Sequence, residues 1–390
     1  MIEVFFILAY AIIVAAFVRS KTHLRLHTRL EVLLLASAAL AVGLYALTQR
    51  MTQGLGATTH LSDSFPWGIW ISVDLCGIAL ASGGFILAGI VHLFRVHRLE
   101  PILRPTVLTA FIAYQLVAAI LVLDLGRPLR FWHPLVMWQH HSVMFEITLC
   151  LALYTVVLAL EFSPVLFEYL GFHRAVEALQ KMTLPVVMAG VILSTLHQSS
   201  FGSLFLIVPQ KLSPYWYTPI LPILFLLSAV CAGLGVALLE CVLFERAAGG
   251  ERLDAGIVPM LARWTSRALM LYVIVRLTDL LVRGSWRAVF QHPWLDASLA
   301  VEIIAGSLLP ALWLGRIAKR NAHQAAAAAV TVLGGVVWHR LNVSWFGLIP
   351  ASGVFYVPSW LEIAITLALV MIGILVFIAA AQLLPVFPRR

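Results

Sequence analysis

The first feature of this 390-residue sequence is how little charge it carries. Charged residues make up 11% of the chain, against about a quarter in an average soluble domain. No polar segment is long enough to form a second domain. This composition excludes a water-soluble globular enzyme, and the 62% of hydrophobic residues indicates an integral membrane protein.

Metal-binding and cofactor-binding patterns are also missing. None of the four cysteines belongs to a CxxC pair or a longer metal-ligand spacing, and each lies inside an apolar run. A haem b between helices needs two facing histidines, but only His92, His197 and His339 lie close to span ends. Nucleotide-binding and flavin-binding fingerprints do not occur. We therefore expect no metal site, no haem, no iron–sulfur cluster and no redox centre of the chain's own.

Apolar runs long enough to cross a bilayer recur along the whole chain. About twenty residues span a hydrocarbon core of about 30 Å. The predicted spans are 3–18, 31–48, 66–93, 105–123, 143–160, 183–197, 218–243, 264–282, 297–315, 324–338 and 359–385. The first run lacks a basic leading region and a cleavage site, so we interpret it as a span and not as a signal peptide. The expected fold class is all-α, a polytopic membrane helix bundle of about 10–11 helices forming one domain over residues 1–390.

The basic residues predict the orientation. The formal charge is +8, but the basic residues do not cluster with exposed aromatics as in a nucleic-acid site. One alternating set of loops holds only Arg50, Arg127, Arg130, Lys211, Arg283, Arg287 and Arg340. Most other basic residues lie in the opposite set, which the positive-inside rule makes cytoplasmic. The poorer loops then face a periplasm-like side, and their many tryptophans form an interfacial belt or a surface for another subunit.

Ionisable residues inside the spans are the functional candidates, because a charge at membrane depth costs about 2.5–3.5 kcal/mol or more. Asp74 lies two turns into the third span, whose expected start has Ser64 as N-cap. Glu146 and Glu161 lie near the two ends of the fifth span, as a proton relay requires. Glu161 can equally cap the inner interface.

A second set of candidates lies at the outer boundary. His197 is followed by Gln198 and two serines at the end of the sixth span, and an imidazole exchanges protons near neutral pH. A lone histidine at an interface is often only an anchor. Tyr114 lies in the middle of the fourth span, which ends with Asp124 and Arg127. These two residues are three apart and can form a local ion pair.

Three further charges lie deeper in the chain. Glu240 is near the inner end of the seventh span. Arg276 and Asp279 are three residues apart in the eighth span, so an ion pair within one helix explains them at least as well as a function. Glu302, in the ninth span, can be a further partner.

These side chains form two tiers. The outer tier is Asp74, Glu146, His197 and Gln198, and the inner tier is Glu161 and Glu240. A quinone fits the outer tier best, since it arrives through lipid and carries two carbonyls that exchange protons. The alternatives are a proton-coupled secondary transporter, which would show inverted repeats that the sequence does not reveal, and a purely structural anchor, which would not need so many buried carboxylates.

Six short motifs in order resemble the NrfD/polysulfide-reductase membrane-subunit family, and within it the HybB-like membrane subunit of nickel–iron hydrogenases. They are Phe65-Pro66-Trp67-Gly68-Ile69-Trp70 with Asp74, Leu103-Arg104-Pro105, Asp124-X-Gly126-Arg127, Val143-Met144-Phe145-Glu146, Leu160-Glu161-Phe162-Ser163-Pro164 and His197-Gln198-Ser199-Ser200-X-Gly202-Ser203-Leu204. The resemblance covers about residues 62–385 and leaves 1–50 as peripheral N-terminal helices. Relatives usually have about eight to ten spans, so residues 1–18 look like an added helix.

The resemblance implies two stacked four-helix bundles in a bacterial inner membrane, without haem. It implies a menaquinone or ubiquinone substrate bound near the periplasmic face. A periplasmic ferredoxin-like iron–sulfur protein would dock there and link the subunit to a hydrogenase or to a sulfur or sulfite module, as in DsrP-like relatives. The other partners expected are lipids, and no nucleic acid.

Residue roles follow from the two tiers and the resemblance together. The expected catalytic residues are His197, Glu146 and Asp74. The expected quinone contacts are Trp67, Gly68, His197, Gln198, Ser199, Asp124 and Arg127. The expected proton path is Tyr114, Glu146, Glu161, Glu240, Arg276 and Asp279. If protons come from the cytoplasm through this path, quinone turnover is electrogenic; if they come from the periplasm, the inner carboxylates are dispensable.

Overall fold

The computed structural model describes residues 26–247, 253–288, 292–316 and 322–387, so the predicted span 3–18 lies outside the described residues. Over these ranges the regular structure is entirely helical. The long helices are α1 (Leu26–Gln53), α2 (Ile69–His92), α3 (Glu100–Asp124), α4 (Val143–Tyr169), α5 (Thr183–Leu206), α6 (Leu221–Ala247), α7 (Ile257–Val282), α8 (Pro293–Gly315), α9 (Ala322–Ser344) and α10 (Trp360–Leu383).

Eight of these helices are long and apolar enough to cross a membrane: α2 to α6 and α8 to α10. The other two, α1 and α7, take the places of two further predicted spans. Helix α7 carries Arg263, Arg267, Arg276 and Asp279, which lower its hydropathy. The prediction of an all-α polytopic membrane protein is confirmed.

The helices form two groups of four. In the first bundle, α2 to α5, each helix packs against the next and α5 closes back on α2. The second bundle, α6 to α9, has the same cyclic arrangement in the same chain order. Helix α6 joins the bundles, because it also packs against α2 and α5, while α10 lies against α1 and α3.

Connections between consecutive helices are short, so neighbours in the chain run in opposite directions. We call the end at which α2 begins the Trp67 end; α3 ends there, α4 and α6 begin there and α5 ends there. The opposite end, near the last turns of α2 and α4, is the Glu161 end. Short helices lie between the long ones: Leu55–Thr58, His97–Leu99, Pro128–Arg130, His133–Val136, His173–Lys181, Ser285–Ala288, Phe346–Leu348 and Ile349–Ser352.

Two predicted spans end too early. Helix α5 continues from 197 to Leu206, and α9 continues from 338 to Ser344. Polar residues follow each predicted end, but the helix satisfies several of them: the Ser199 hydroxyl donates to the Leu196 carbonyl at 2.9 Å and the Ser344 hydroxyl to the Arg340 carbonyl at 2.8 Å. Apolar patterning therefore underestimates these helices.

The predicted start of the third span is also displaced. Helix α2 begins at Ile69 with Gly68 as its N-cap residue, and no side chain caps it. The Ser64 hydroxyl, the expected cap, instead lies 3.0 Å from the Ser62 hydroxyl. The Phe65-Pro66-Trp67 segment thus leads into the helix and is not its first turn.

Two arginines counted as loop residues are buried. Arg50 is 1% exposed, and its guanidinium donates to the carbonyls of Leu123 (3.0 Å) and Leu125 (2.7 Å), which end α3. Arg340 is fully buried inside α9. Neither is therefore a solvent-exposed loop charge, and each guanidinium donates hydrogen bonds to backbone carbonyl oxygens inside the protein.

Helix α8 contains a π-helical segment, Val301–Leu308. Its wider turn places the Ser307 hydroxyl 3.0 Å from the Glu302 carbonyl, five residues earlier. Gly306 in this segment meets Gly335 of α9 so closely that a Cβ on Gly335 would lie 2.2 Å from the Gly306 oxygen. Glycine at both positions is what allows α8 and α9 to cross here.

Candidate functional site

The first bundle brings Tyr114 of α3 and His197 of α5 together. The Tyr114 hydroxyl lies 3.2 Å from Nδ1 of His197, and both side chains are fully buried. Tyr154 of α4 packs edge-on against Tyr114, with 4.6 Å between ring centroids, and Phe201 stacks on the imidazole at 4.9 Å. Nε2 of His197 has no hydrogen-bond partner among the described residues. One imidazole nitrogen is therefore held in place while the other is unengaged.

Asp74 lies in the same bundle. Its carboxyl is fully buried, and neither oxygen has a hydrogen-bond partner among the described residues. It is close enough to Tyr114 for an electrostatic interaction. An unpaired carboxyl at membrane depth is costly, so this group is poised to bind a proton or a polar ligand.

The Gln198 side chain reaches the adjacent helix α2. Its Nε2 donates to the Ile78 carbonyl at 2.9 Å, one turn beyond Asp74. Its Oε1 lies 3.4 Å from Nη2 of Arg340 in the second bundle. These two contacts fix which way the amide points, because the nitrogen donates and the oxygen accepts.

Glu146, in the first turn of α4, is exposed at the bundle surface. It is joined to α5 by Ser200, whose hydroxyl donates to Oε1 at 2.7 Å. Ser142 caps the same turn by accepting from the Phe145 backbone nitrogen at 3.3 Å. The carboxylate thus lies at the edge of the α4–α5 interface. Its partner Ser200 is less than one turn of α5 from His197.

Trp67 and Gly68 precede α2 at the same end. The Trp67 ring makes an edge contact with Phe205, at 5.2 Å between centroids. A cleft of about 550 Å³ opens beside Trp67 and is also lined by Lys211 and Ser352, although His197 does not line it. Gly68 is required by a close approach, since a Cβ there would lie 2.5 Å from the Tyr356 hydroxyl.

The other three predicted quinone contacts are Ser199, Asp124 and Arg127. The Ser199 hydroxyl donates to the Leu196 carbonyl of its own helix at 2.9 Å. Arg127 is exposed, and within the described ranges no ion pair joins it to Asp124. Asp124 interacts electrostatically with Arg50 instead. The local Asp124–Arg127 pair suggested by their spacing is therefore not formed, and the Arg50 guanidinium of α1 donates to the carbonyls on either side of Asp124, those of Leu123 and Leu125.

The inner carboxylates occupy two separate places. Glu161 lines a cleft of about 730 Å³ at the Glu161 end, which is also lined by His92 and Arg104. Glu240 accepts hydrogen bonds from the Thr106 and Thr109 hydroxyls of α3, the latter at 2.8 Å. It borders an apolar cavity of about 1080 Å³ between α2, α3, α6, α9 and α10.

The second bundle contains a buried polar cluster centred on Glu302, which is fully buried. Its Oε1 accepts from the Tyr272 hydroxyl at 3.0 Å, lies 2.9 Å from Nδ1 of His339 and lies 3.4 Å from Nε of Arg276. Its Oε2 accepts from Nε1 of Trp216 at 2.8 Å and from Nδ2 of Asn342 at 2.6 Å. Every lone-pair direction of this carboxylate is occupied.

Arg276 and Asp279, predicted on the proton path, belong to this cluster and not to the surroundings of Glu240. Arg276 lies 3.8 Å from Asp279, as their spacing indicates. Asp279 also binds Arg283 through both oxygens, at 2.9 and 2.7 Å, and accepts from the Thr218 hydroxyl at 2.6 Å. Both residues are therefore held by ion pairs of the second bundle, with one hydroxyl on Asp279.

The sequence model of the family described as "Polysulphide reductase, NrfD" matches residues 57–351. The chain belongs to the NrfD family. The match includes both four-helix bundles, from the segment before α2 to the short helix after α9, so the resemblance drawn from the six motifs is confirmed.

Three relatives of this NrfD-family chain align over most of its length. A protein of Nitratidesulfovibrio vulgaris is 36% identical over 89% of this chain and 92% of its own. The "Probable Ni/Fe-hydrogenase 2 b-type cytochrome subunit" of Escherichia coli is 31% identical over 88% of each. The "Menaquinone reductase, integral membrane subunit" of N. vulgaris is 29% identical over 89% of each.

The b-type cytochrome in one relative's name raises the question of whether this NrfD-family chain has a site that fits haem. A bis-histidine haem needs two histidines that face one cavity. The buried His197 and His339 lie in different bundles, and His339 packs on Phe225 and Tyr272 whereas His197 packs on Phe201 and Tyr114. His197 and His339 therefore do not form one bis-histidine haem site. The described ranges also contain no group of three or more metal-ligating side chains.

Sequence reasoning missed one buried carboxyl at the Trp67 end. Glu362 forms a capping box with Ser359 at the start of α10 and accepts from Tyr356, whose hydroxyl accepts from the Ile69 backbone nitrogen at 3.1 Å. Burial, and then the Glu362 charge, raise the pKa of Tyr356. The Ser-x-x-Glu signature before an apolar run identifies such a cap from sequence.

Proposed function

We propose that this NrfD-family chain is the quinone-interacting membrane subunit of a respiratory complex. It passes electrons between a periplasmic ferredoxin-like iron–sulfur protein and menaquinone or ubiquinone in the membrane. The observation that carries the proposal is the buried Tyr114–His197 pair, whose second imidazole nitrogen is unengaged, beside the unpaired Asp74 carboxyl. The names of the hydrogenase and menaquinone reductase relatives support the same class of complex.

In this proposal the quinone head lies between His197 and Asp74. Reduction of a quinone takes two electrons from the partner and two protons, and oxidation of the quinol returns both. Nε2 of His197 exchanges a proton with one quinone oxygen while Tyr114 holds Nδ1, and Asp74 holds the second proton. Gln198 donates to a quinone oxygen, because its nitrogen carries two hydrogens and only one is used by Ile78.

We further propose that Glu146 connects this site to the bundle surface, and that Glu161 and Glu240 serve a proton path from the cytoplasmic side. Glu161 has an oxygen without a partner among the described residues and lines a cleft at the opposite end. The positive-inside distribution of basic residues supports a periplasmic position for the Trp67 end. Proton uptake from the opposite side would make quinone turnover electrogenic.

An exposed apolar loop between α3 and α4 is the proposed docking surface for the iron–sulfur protein. Its exposed side chains include Leu129 (79%), Val136 (68%), Met137 (63%) and Trp138 (60%). Contiguous apolar side chains of this kind mark interfaces with membrane or protein. The loop lies at the Trp67 end, so a docked redox partner would be close to the quinone head.

Binding of decylubiquinone and menadione to the purified complex, measured by tryptophan fluorescence quenching, tests the quinone site. We expect His197→Ala and Asp74→Asn to weaken binding at least tenfold and to abolish quinone-linked turnover. His173→Ala, at an exposed position in a short helix at the Glu161 end, is the matched control and is expected to bind normally. Unchanged binding in His197→Ala would refute the site.

Liposome measurements test the proton path separately. We expect Glu161→Gln and Glu240→Gln to reduce the membrane potential generated during quinone turnover while decylubiquinone still binds. An unchanged potential would remove the inner path and leave the quinone site intact. A small solute that stabilises the protein, with no effect of quinones, would favour the transporter alternative.

A further inference from the structure

The two bundles carry the same arrangement of polar side chains in the same chain order. In each, the second helix supplies a tyrosine, Tyr114 or Tyr272, and the fourth supplies a histidine, His197 or His339. The tyrosine and histidine ring centroids are 5.7 Å apart in both bundles. Because α2 to α5 and α6 to α9 also pack in the same cyclic order, the bundles form a parallel internal repeat, distinct from the inverted repeats of many transporters.

The correspondence extends to the residues beside each histidine. Three positions later, Ser200 donates to Glu146 at 2.7 Å and Asn342 donates to Glu302 at 2.6 Å; both carboxylates lie on the third helix of their bundle. One position later, Gln198 donates to a carbonyl of α2. Arg340 likewise donates to a carbonyl of α6, that of Phe225, at 2.9 Å.

The two arrangements differ in how their charges are compensated. In the second bundle, Arg276 lies against Glu302, and Tyr272 and His339 both turn to that carboxylate. In the first bundle, Tyr114 and His197 turn to each other, and within the described residues no cation contacts Asp74 or Glu146. The buried carboxylate of the second bundle is thus compensated by a cation and by hydrogen-bond donors, whereas these two carboxyl groups of the first bundle have no cation beside them among the described residues.

Arg340 connects the polar side chains of the second bundle to those of the first. Its guanidinium lies 3.6 Å from the centroid of the Phe225 ring, a cation–π contact. The Phe225 carbonyl holds the same Nη2 that approaches Oε1 of Gln198 at 3.4 Å. The guanidinium is fully buried, so it is held by the second bundle and presents a donor to the first.

We propose that Arg340 is a positioning residue of the quinone site, acting across the bundle interface through Gln198. This inference rests on the proposed function. With Arg340 present, the amide oxygen of Gln198 faces the guanidinium, and the amide nitrogen faces Ile78 and the quinone. Without it only the Ile78 carbonyl orients the amide, and an amide that turns over presents an acceptor where a quinone carbonyl needs a donor.

A double-mutant cycle on the purified complex tests the proposal, with decylubiquinone as the probe. Arg340→Met is expected to raise the Kd for decylubiquinone about tenfold, equivalent to about 1.4 kcal/mol. Gln198→Met is expected to have at least the same effect. The double variant is expected to be no worse than Gln198→Met alone, because Arg340 acts only through that amide. KM should follow the Kd, while kcat at saturating quinone changes little.

Two further variants separate positioning from loosening of the second bundle. Trp216→Phe removes one donor to Glu302 without touching Arg340 or Gln198, and its Kd is expected to remain normal. Arg340→Lys keeps the charge but loses the planar stack, so it is expected to recover part of the binding; it also replaces Arg340→Met in the cycle if the latter does not assemble.

The outcomes are distinguishable. The role of Arg340 would be overturned if the Kd increases caused by Arg340→Met and Gln198→Met multiply in the double variant, or if Trp216→Phe weakens binding as much as Arg340→Met. The quinone site itself would still stand if His197→Ala binds decylubiquinone poorly. Normal binding in His197→Ala would overturn the quinone site and this inference together. A cycle in which the double variant equals Gln198→Met supports positioning across the interface.

Discussion

Replacing Glu302 by glutamine should destabilise the protein strongly. The carboxylate accepts from Tyr272, His339, Trp216 and Asn342 and is paired with Arg276. A glutamine has only one acceptor oxygen, so whichever way the amide points, at least two buried donors face an NH2 group. Arg276 also loses its buried anion. Breaking such a pair on one side costs about 3–5 kcal/mol.

Glu240→Gln is the matched control for this prediction. Glu240 is also a buried carboxyl in a long helix, but its partners are the Thr106 and Thr109 hydroxyls. A hydroxyl can donate or accept, so the threonines can satisfy either end of an amide, and the expected cost is about 1 kcal/mol.

Thermal unfolding of both variants in the same detergent, followed by tryptophan fluorescence, measures the difference. We expect the Tm of Glu302→Gln to fall several times further than that of Glu240→Gln. Equal shifts would refute the reasoning, since they would mean that the number and kind of buried partners do not set the cost of losing a carboxylate here.

Three other predictions follow from single contacts. Gly335→Ala should destabilise the α8–α9 crossing by about 1–3 kcal/mol through overpacking against Gly306, whereas Gly334→Ala, with nothing within 4 Å of its Cβ, should have little effect on Tm. Leu129→Asp should reduce co-purification of an iron–sulfur partner without altering decylubiquinone binding, and undiminished co-purification would exclude the loop as a docking surface. Tyr356→Phe should cost about 1–3 kcal/mol, because its hydroxyl joins α2 to α10; an unchanged Tm would contradict this role.

The helices were predictable because membrane-spanning segments are defined by length and apolarity. Their ends were less so. The predicted span ends at His197, where polar residues begin, but the Ser199 hydroxyl bonds to its own helix, the Ser200 hydroxyl bonds to Glu146 of α4, and α5 continues to Leu206. Hydropathy measures transfer to lipid and does not register hydrogen bonds that a bundle supplies.

The candidate site was predictable as a set of costly side chains and not as a geometry. Asp74, Tyr114 and His197 stand out in the sequence because each is polar at membrane depth. That Tyr114 pairs with His197 depends on how α3 and α5 face each other, which no local pattern records. Arg340 was assigned to a loop because the predicted span ended at residue 338, and its partners, 115 and 142 residues away along the chain, could not be read from local sequence.

The π-helical segment of α8 gives the second bundle an unusual vulnerability. Such a segment accommodates one extra residue within an otherwise α-helical run. Deleting a single residue between Val301 and Leu308 would allow the helix to relax to ordinary pitch, and each residue of an α-helix turns about 100°. Glu302 or the residues that follow it would then rotate out of register with His339 and Gly335. Deleting one apolar residue of this segment leaves every polar side chain in the sequence, yet it is expected to break both the Glu302 cluster and the close crossing of α8 and α9.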